Sequence, residues 1–119
     1  MSDLESRLRL YFNALNAFDL KAVEAIFAEN AVYVSSGLNF IKLGRAEIIS
    51  SFKIYFEEFA DQVSVDDNFK LISPNILSSD WRLKATSVKT GKRMERAGTQ
   101  VTTFDAAGLI AHVEVRDRA

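Results

Sequence analysis

No cysteine occurs in the 119 residues, so disulfide and thiolate chemistry are excluded. One histidine argues against the usual zinc sites, which combine several Cys or His ligands. A single proline and five glycines leave no room for a long linker or a low-complexity segment. No apolar run reaches the roughly 18 to 20 residues that span a bilayer. MSDLESRLRL is charged throughout and has no apolar core of the signal-peptide kind. Neither charge sign dominates: 15 Lys and Arg stand against 16 Asp and Glu, a formal net charge of −1. Nucleic acid and an anionic membrane surface are therefore not expected as partners. A cytoplasmic location and no cofactor are expected.

What is present is ordinary in amount and unusual in kind. The chain is 48% hydrophobic and 26% charged, with a mean hydropathy near zero, and its length suits one domain, 1–119. Nine Phe, three Tyr and one Trp supply more aromatic area than so short a core requires, which suggests a lined cavity.

Ser2 and Glu5 form a capping box, and Leu4, Leu8, Tyr11, Phe12 and Leu15 recur at helical spacing. A break follows at Phe18-Asp19, where Asp19 can cap a second helix with Leu20, Val23, Ile26 and Phe27 inward. That helix is expected to close at Glu29-Asn30, with Asn30 left-handed, before a strand from Ala31 to Val34. A short strand over Asn39–Leu43 and a third helix over Arg45–Phe59 come next; Ile48, Ile49, Phe52, Tyr55, Phe56 and Phe59 share its apolar face. Four long strands complete the chain: Gln62–Leu71, Asn75–Lys89, Arg93–Phe104 and Leu109–Arg116. The order predicts an α+β fold in which a curved mixed β-sheet wraps helices as a cone with one open end.

Two stretches, Ala14-Leu15-Asn16-Ala17-Phe18-Asp19-Leu20 and Ile26-Phe27-Ala28-Glu29-Asn30-Ala31, carry a resemblance to the NTF2-like superfamily. Within it the chain is most similar to SnoaL-like and ketosteroid-isomerase-like proteins. Gly44 with Ala46, Ile48 and Phe52, and Phe104-Asp105 with Gly108-Leu109-Ile110, agree with it. The fold that the resemblance implies is the cystatin-like α+β roll. Because this fold hosts isomerases, dehydratases, hydrolases, cyclases and binders, it does not select a reaction.

Residue by residue, Tyr11 falls at the isomerases' oxyanion-hole tyrosine, Gln100 at their oxyanion-hole aspartic acid, and Ser35 at their proton-moving aspartate. Tyr11 and Gln100 can both donate a hydrogen bond to an oxyanion, but an unassisted serine is no base near neutral pH. Steroid isomerisation by the family mechanism is therefore not expected. Epoxide hydrolysis of the limonene type needs a carboxylate two residues after a strand arginine, and Arg96-Ala97-Gly98 has none. Dehydratases and polyketide cyclases use a cavity histidine, and the sole histidine, His112, falls on the outer face by strand parity.

With Gln100 inward by this analogy, alternation turns Met94, Arg96, Gly98 and Thr102 inward, with Trp81, Leu83, Ala85 and Ser87 facing them. Val113, Val115 and Asp117 follow on the last strand. The expected ligand-contacting set is Tyr11, Ser35, Trp81, Leu83, Met94, Arg96, Gln100, Val113 and Val115. Asp117 is a further candidate acid or base, Asp66-Asp67-Asn68 reads as a solvated bulge or turn, and no metal site is expected. The resemblance thus implies a SnoaL-like small-molecule cavity protein, an isomerase-, cyclase- or dehydratase-type enzyme acting on a carbonyl-containing apolar substrate through Tyr11 and Gln100 but without the isomerases' general base. The alternative is a non-catalytic ligand-binding or dimerisation module. A homodimer through the outer sheet face is expected.

Overall fold

The computed structural model describes residues 3–118; Ser2, half of the expected capping box, lies outside them. Helix α1 (Asp3–Asn16) is followed by α2 (Leu20–Ile26), β1 (Phe27–Ser35), β2 (Phe40–Leu43) and α3 (Arg45–Glu58). The strands β3 (Val63–Ser73), β4 (Ile76–Thr86), β5 (Arg93–Phe104) and β6 (Ile110–Asp117) complete it. One six-stranded sheet runs β2-β1-β6-β5-β4-β3. Only the β1–β6 pair is parallel, so the sheet is mixed, curved and unclosed. No helix among the described residues is long and apolar enough to cross a membrane.

The α1–α2 break forms where expected. Phe18 takes a φ of 55°, and the Asp19 carboxylate accepts from Ala22 N at 3.1 Å, capping α2. The far end of α2 differs from expectation. The helix stops at Ile26, Phe27 is extended, and Asn30 is not left-handed. Phe27 pairs with Ile110 of β6 and is fully buried, so sheet pairing and core burial override the helical reading of Phe27–Asn30. Gly44 at the start of α3 has a φ of 89°, a conformation that a side chain disfavours.

The core lies between the helices and the concave face: Leu8, Tyr11, Phe12 and Val23 meet Phe27, Ile48, Leu77, Phe104, Ile110 and Val113. Each such side chain stabilises the fold by about 1.5–3 kcal/mol when fully buried. On α3 only Ile48 and Phe56 are buried; Phe52 and Tyr55 are half-buried, because they border space rather than packed atoms. Helix α1 is tied to β3 by one side chain. The Asn16 carboxamide donates from Nδ2 to Ser64 O at 2.9 Å and accepts from Ser64 N at 2.9 Å.

Candidate functional site

Register arranges the concave face in rows, each two residues along the strands and so about 6.6 Å from the next. Ser35, Val115, Gln100 and Ser79 form one row. Asp117, Gly98, Trp81 and Asp66 form the next, crossing β6, β5, β4 and β3. Arg96, Leu83 and Ser64 form a third. The inward parity expected for β4, β5 and β6 is the parity observed. Gly98 lets the middle row close: a Cβ there would stand 1.9 Å from Arg116 O and 2.9 Å from Trp81 Cζ2. The indole therefore lies against bare backbone, and its Nε1 donates to Thr99 O at 3.0 Å.

Between these rows and the helices is a half-enclosed cavity of about 120 Å³, with half-exposed Leu38 at its rim. Its wall is mostly apolar, from Phe12, Phe40, Phe52, Trp81, Leu83 and Val115. Tyr11, Tyr33, Tyr55, Ser35, Asp66, Arg96 and Gln100 place polar groups on it. Typical drug-sized ligand pockets measure roughly 300–1,000 Å³, whereas an apolar cavity of about 150 Å³ takes benzene. In this conformation the space suits a ligand of about one ring.

Of the residues singled out by sequence, Tyr11, Ser35, Trp81, Leu83, Arg96, Gln100 and Val115 border the cavity. Val113 is fully buried in the core, and Met94 is half-buried beyond Arg96; neither is among the lining residues. His112 pairs with Val32 and Thr103 and does not border the cavity.

The polar groups differ in what they are free to do. Tyr11 is fully buried and its hydroxyl has no well-formed hydrogen bond among the described residues. Burial raises its pKa well above the ordinary tyrosine range, with Tyr33 and then Asp66 adding to the effect, so the hydroxyl stays a donor. Leaving such a group unsatisfied costs about 1–3 kcal/mol, which makes it a candidate ligand contact. Gln100 is buried and donates from Nε2 to Thr102 Oγ1 at 2.9 Å, which leaves its second amide hydrogen. The Ser35 hydroxyl accepts from Leu38 N at 3.3 Å and so shapes the turn after β1.

Arg96 and Asp117 form a bidentate pair, Nε to Oδ2 at 2.7 Å and Nη2 to Oδ1 at 2.6 Å. The guanidinium also lies 5.3 Å from the Trp81 ring centroid. Burial works against the charge of Arg96, but the hydrogen bonds and charge of Asp117 outweigh it and raise the pKa. Both Asp117 oxygens are taken by Arg96, and Asp117 is not among the cavity-lining residues. It serves as a counter-ion. The turn after β1 closes against it: a Cβ on Gly37 would stand 2.0 Å from Asp117 Oδ1.

The bulge expected at Asp66-Asp67-Asn68 forms within β3: the register shifts after Asp67, Asn68 takes a φ of 56°, and Asp67 and Asn68 are exposed. Asp66 is the exception to the solvated reading, because it is half-buried and still in register with Trp81. The side chain borders the cavity opposite Trp81, and its nearest partner is Ser64 Oγ, donating to Oδ2 at 3.5 Å. Burial pushes the Asp66 carboxyl up to about 7; the Ser64 hydroxyl opposes this and Asp67 adds to it. Tyr33 and Tyr55 were also missed. Burial raises both, Tyr55 to about 12, against the lowering effect of Arg96, and the Tyr55 hydroxyl has no partner among the described residues. Parity offered a signal, since Tyr33 precedes Ser35 by two residues on one strand face. Among the described residues, no group of His, Asp or Glu is placed to hold a metal ion.

The sequence matches the model of the SnoaL-like domain family over residues 8–113. Solved structures agree on the fold. An NTF2-like protein of unknown function from Burkholderia pseudomallei superposes with a TM-score of 0.85 at 21% identity, covering 99% of this chain and 92% of that one. A Mycobacterium tuberculosis protein, solved in complex with estradiol-17β-hemisuccinate, gives 0.84 at 15% identity, covering 97% and 93%. A ketosteroid isomerase-like protein from Erwinia carotovora atroseptica gives 0.74 at 19% identity, covering 98% and 94%. No curated protein matches the chain.

Proposed function

The chain belongs to the SnoaL-like domain family, and from that premise we propose that its cavity takes a small, largely apolar carbonyl compound. The buried Tyr11 hydroxyl, which has Tyr33 as a side-chain neighbour but no well-formed hydrogen bond among the described residues, carries this reading on a mostly apolar wall. A buried donor with no acceptor gains most from a ligand that brings one, and a carbonyl oxygen does so without bringing a charge. Gln100 supplies the second donor from its free amide hydrogen. The same pair would hold the oxygen more strongly as it becomes an oxyanion, which is what an enzyme acting next to a carbonyl needs. That the Mycobacterium tuberculosis neighbour was solved in complex with estradiol-17β-hemisuccinate supports small-molecule binding as a reading for this fold.

Trp81, the only tryptophan, lines the cavity and reports occupancy by fluorescence. Cyclohexanone is expected to bind more tightly than cyclohexane. Tyr11→Phe should weaken the ketone by about three- to tenfold, the worth of one neutral hydrogen bond, and leave cyclohexane unchanged. Equal loss for both compounds would remove the carbonyl from the reading.

A second reading, a binder without catalysis, is favoured by one observation: Ser35 and one Gln100 hydrogen serve internal contacts. Ligand recovered unchanged after prolonged incubation would select it. For assembly we propose a homodimer through the outer sheet face, supported by exposed Ile41, Leu43, Val63 and Val65 on that face. Sedimentation of a single 13.3 kDa species at micromolar concentration would overturn it.

A further inference from the structure

Deepening the carbonyl reading, we propose that Asp66 is the proton-transferring group of this cavity, standing on β3 in place of a base at Ser35. Three independent observations lead to it. First, Asp66 is the lining carboxylate that has no cation: Arg96, which also lines the cavity, is spent on Asp117. Second, Asp66 and Tyr11 line the same cavity, so an acid–base group and a buried donor without a well-formed hydrogen bond border one space. Third, its position is fixed from outside: the Asn16 carboxamide clamps Ser64, two residues before it on the same strand face, and Trp81 stands opposite. Position is what a proton-transfer group requires first, and a proton affinity near the working pH is what it requires second. Burial in a mainly apolar wall supplies the second.

The substrate class follows from the chemistry. With Asp66 ionised, its carboxylate takes a proton from the carbon next to the carbonyl. The C–H electron pair becomes the enolate C=C bond, and the carbonyl oxygen takes the negative charge beside the Tyr11 hydroxyl. The proton on Asp66 exchanges with water or returns to carbon. Nothing is oxidised or reduced and no co-reactant is consumed. The class is therefore a small enolisable ketone or ester of about one ring.

The experiment is exchange of the α-protons of cyclohexanone with D2O, followed by proton NMR, with Trp81 fluorescence reporting binding in the same samples. Wild-type protein is expected to accelerate exchange, with a rate that rises through pH 7 as Asp66 ionises. Asp66→Asn should reduce the enzymatic rate at least about 100-fold with binding retained, and Glu95→Gln, exposed on the outer face of β5, should change it little. The groups facing Asp66 are Tyr11 from α1, Ser64 and Asp67 on its own strand and, across the cavity, Arg96 with Tyr33 and Tyr55. The tyrosines and Arg96 titrate well above this range, so they do not produce a rise near 7. Bound ketone that exchanges at the background rate, or equally fast with the Asp66→Asn variant, overturns the assignment while leaving the carbonyl-binding reading intact. Absence of binding overturns that reading and the assignment with it. If Asp66→Asn does not fold, the wild-type pH profile decides: a flat rate from pH 5 to 9 overturns the role of Asp66.

Discussion

Asp66 and Asp117 occupy the two ends of one row of the sheet, with Trp81 and Gly98 between them. Three strand spacings separate their backbones, about 14 Å. The residue type and the sheet face are the same, yet their electrostatic surroundings are opposite. Asp117 accepts two charge-assisted hydrogen bonds from Arg96, whereas Asp66 has one long contact from a serine and an apolar neighbourhood. The paired end holds the β5–β6 wall together, and the unpaired end keeps a carboxyl that can change protonation near neutral pH. What a carboxylate does is set by whether a cation reaches it, not by its place in the sheet.

The row itself can be broken. Gly98→Ala would drive a methyl into the Arg116 carbonyl, a backbone atom that cannot swing aside, and is expected to cost about 3 kcal/mol by urea denaturation. Arg96→Met sharpens the contrast by making the two ends alike. It strands the Asp117 carboxylate; because the two side chains keep 14% and 22% exposure, the loss at pH 7 should be about 2–3 kcal/mol, less than for a fully buried pair. Asn16→Ala acts on the other end. It removes both hydrogen bonds to Ser64 and should cost about 1–2 kcal/mol, with loss of the positioning of Asp66.

Asp66→Asn is expected to give the smallest change in stability and the most diagnostic pH dependence. Burial raises the folded pKa to about 7, above the ordinary value of 3.8. Between these values the unfolded chain has released the proton that the folded chain keeps, so stability falls as pH rises through this window. Below it both states are protonated and the group contributes nothing; above it the full penalty applies. Thermal midpoints of wild type minus Asp66→Asn should therefore decline from pH 4 to 7 and then level. The variant should be the more stable by about 1 kcal/mol at pH 8, after discounting for partial exposure. A pH-independent difference would show that the burial of Asp66 carries no electrostatic penalty.

The fold was legible because local signals and global pairing agree. Asp19 caps where a cap was needed, and the parity set by Gln100 predicts every inward residue from Trp81 to Ser87. The third strand was legible as a strand, but its inward face was not, and the reason is physical. Its alternation is inverted: Val63 and Val65 are exposed, while Gln62, Ser64 and Asp66 turn inward. Rules of apolar-in and polar-out presume a packed interior, and this strand faces a cavity instead. Asp-Asp-Asn also has turn composition and does bulge, with Asn68 at a φ of 56°, while Asp66 still pairs with Trp81 and so keeps its inward place. Phe27–Asn30 was misread for the same kind of reason, since its strand conformation depends on β6, more than 80 residues away.

The Asn16–Ser64 clamp has one more consequence. Strand β3 is the last of the sheet, and a terminal strand presents unpaired N–H and C=O groups that can recruit another chain. The carboxamide of Asn16 has the same donor and acceptor pair as a peptide bond, and it occupies both backbone groups of Ser64 as a seventh strand would. Undocking of the first helix would remove Tyr11 from the cavity and free the Ser64 backbone groups on an edge strand that already exposes Val63, Val65, Leu71 and Ile72. Loss of the ligand site and release of those edge groups are therefore one event, and a single asparagine side chain helps to hold back both.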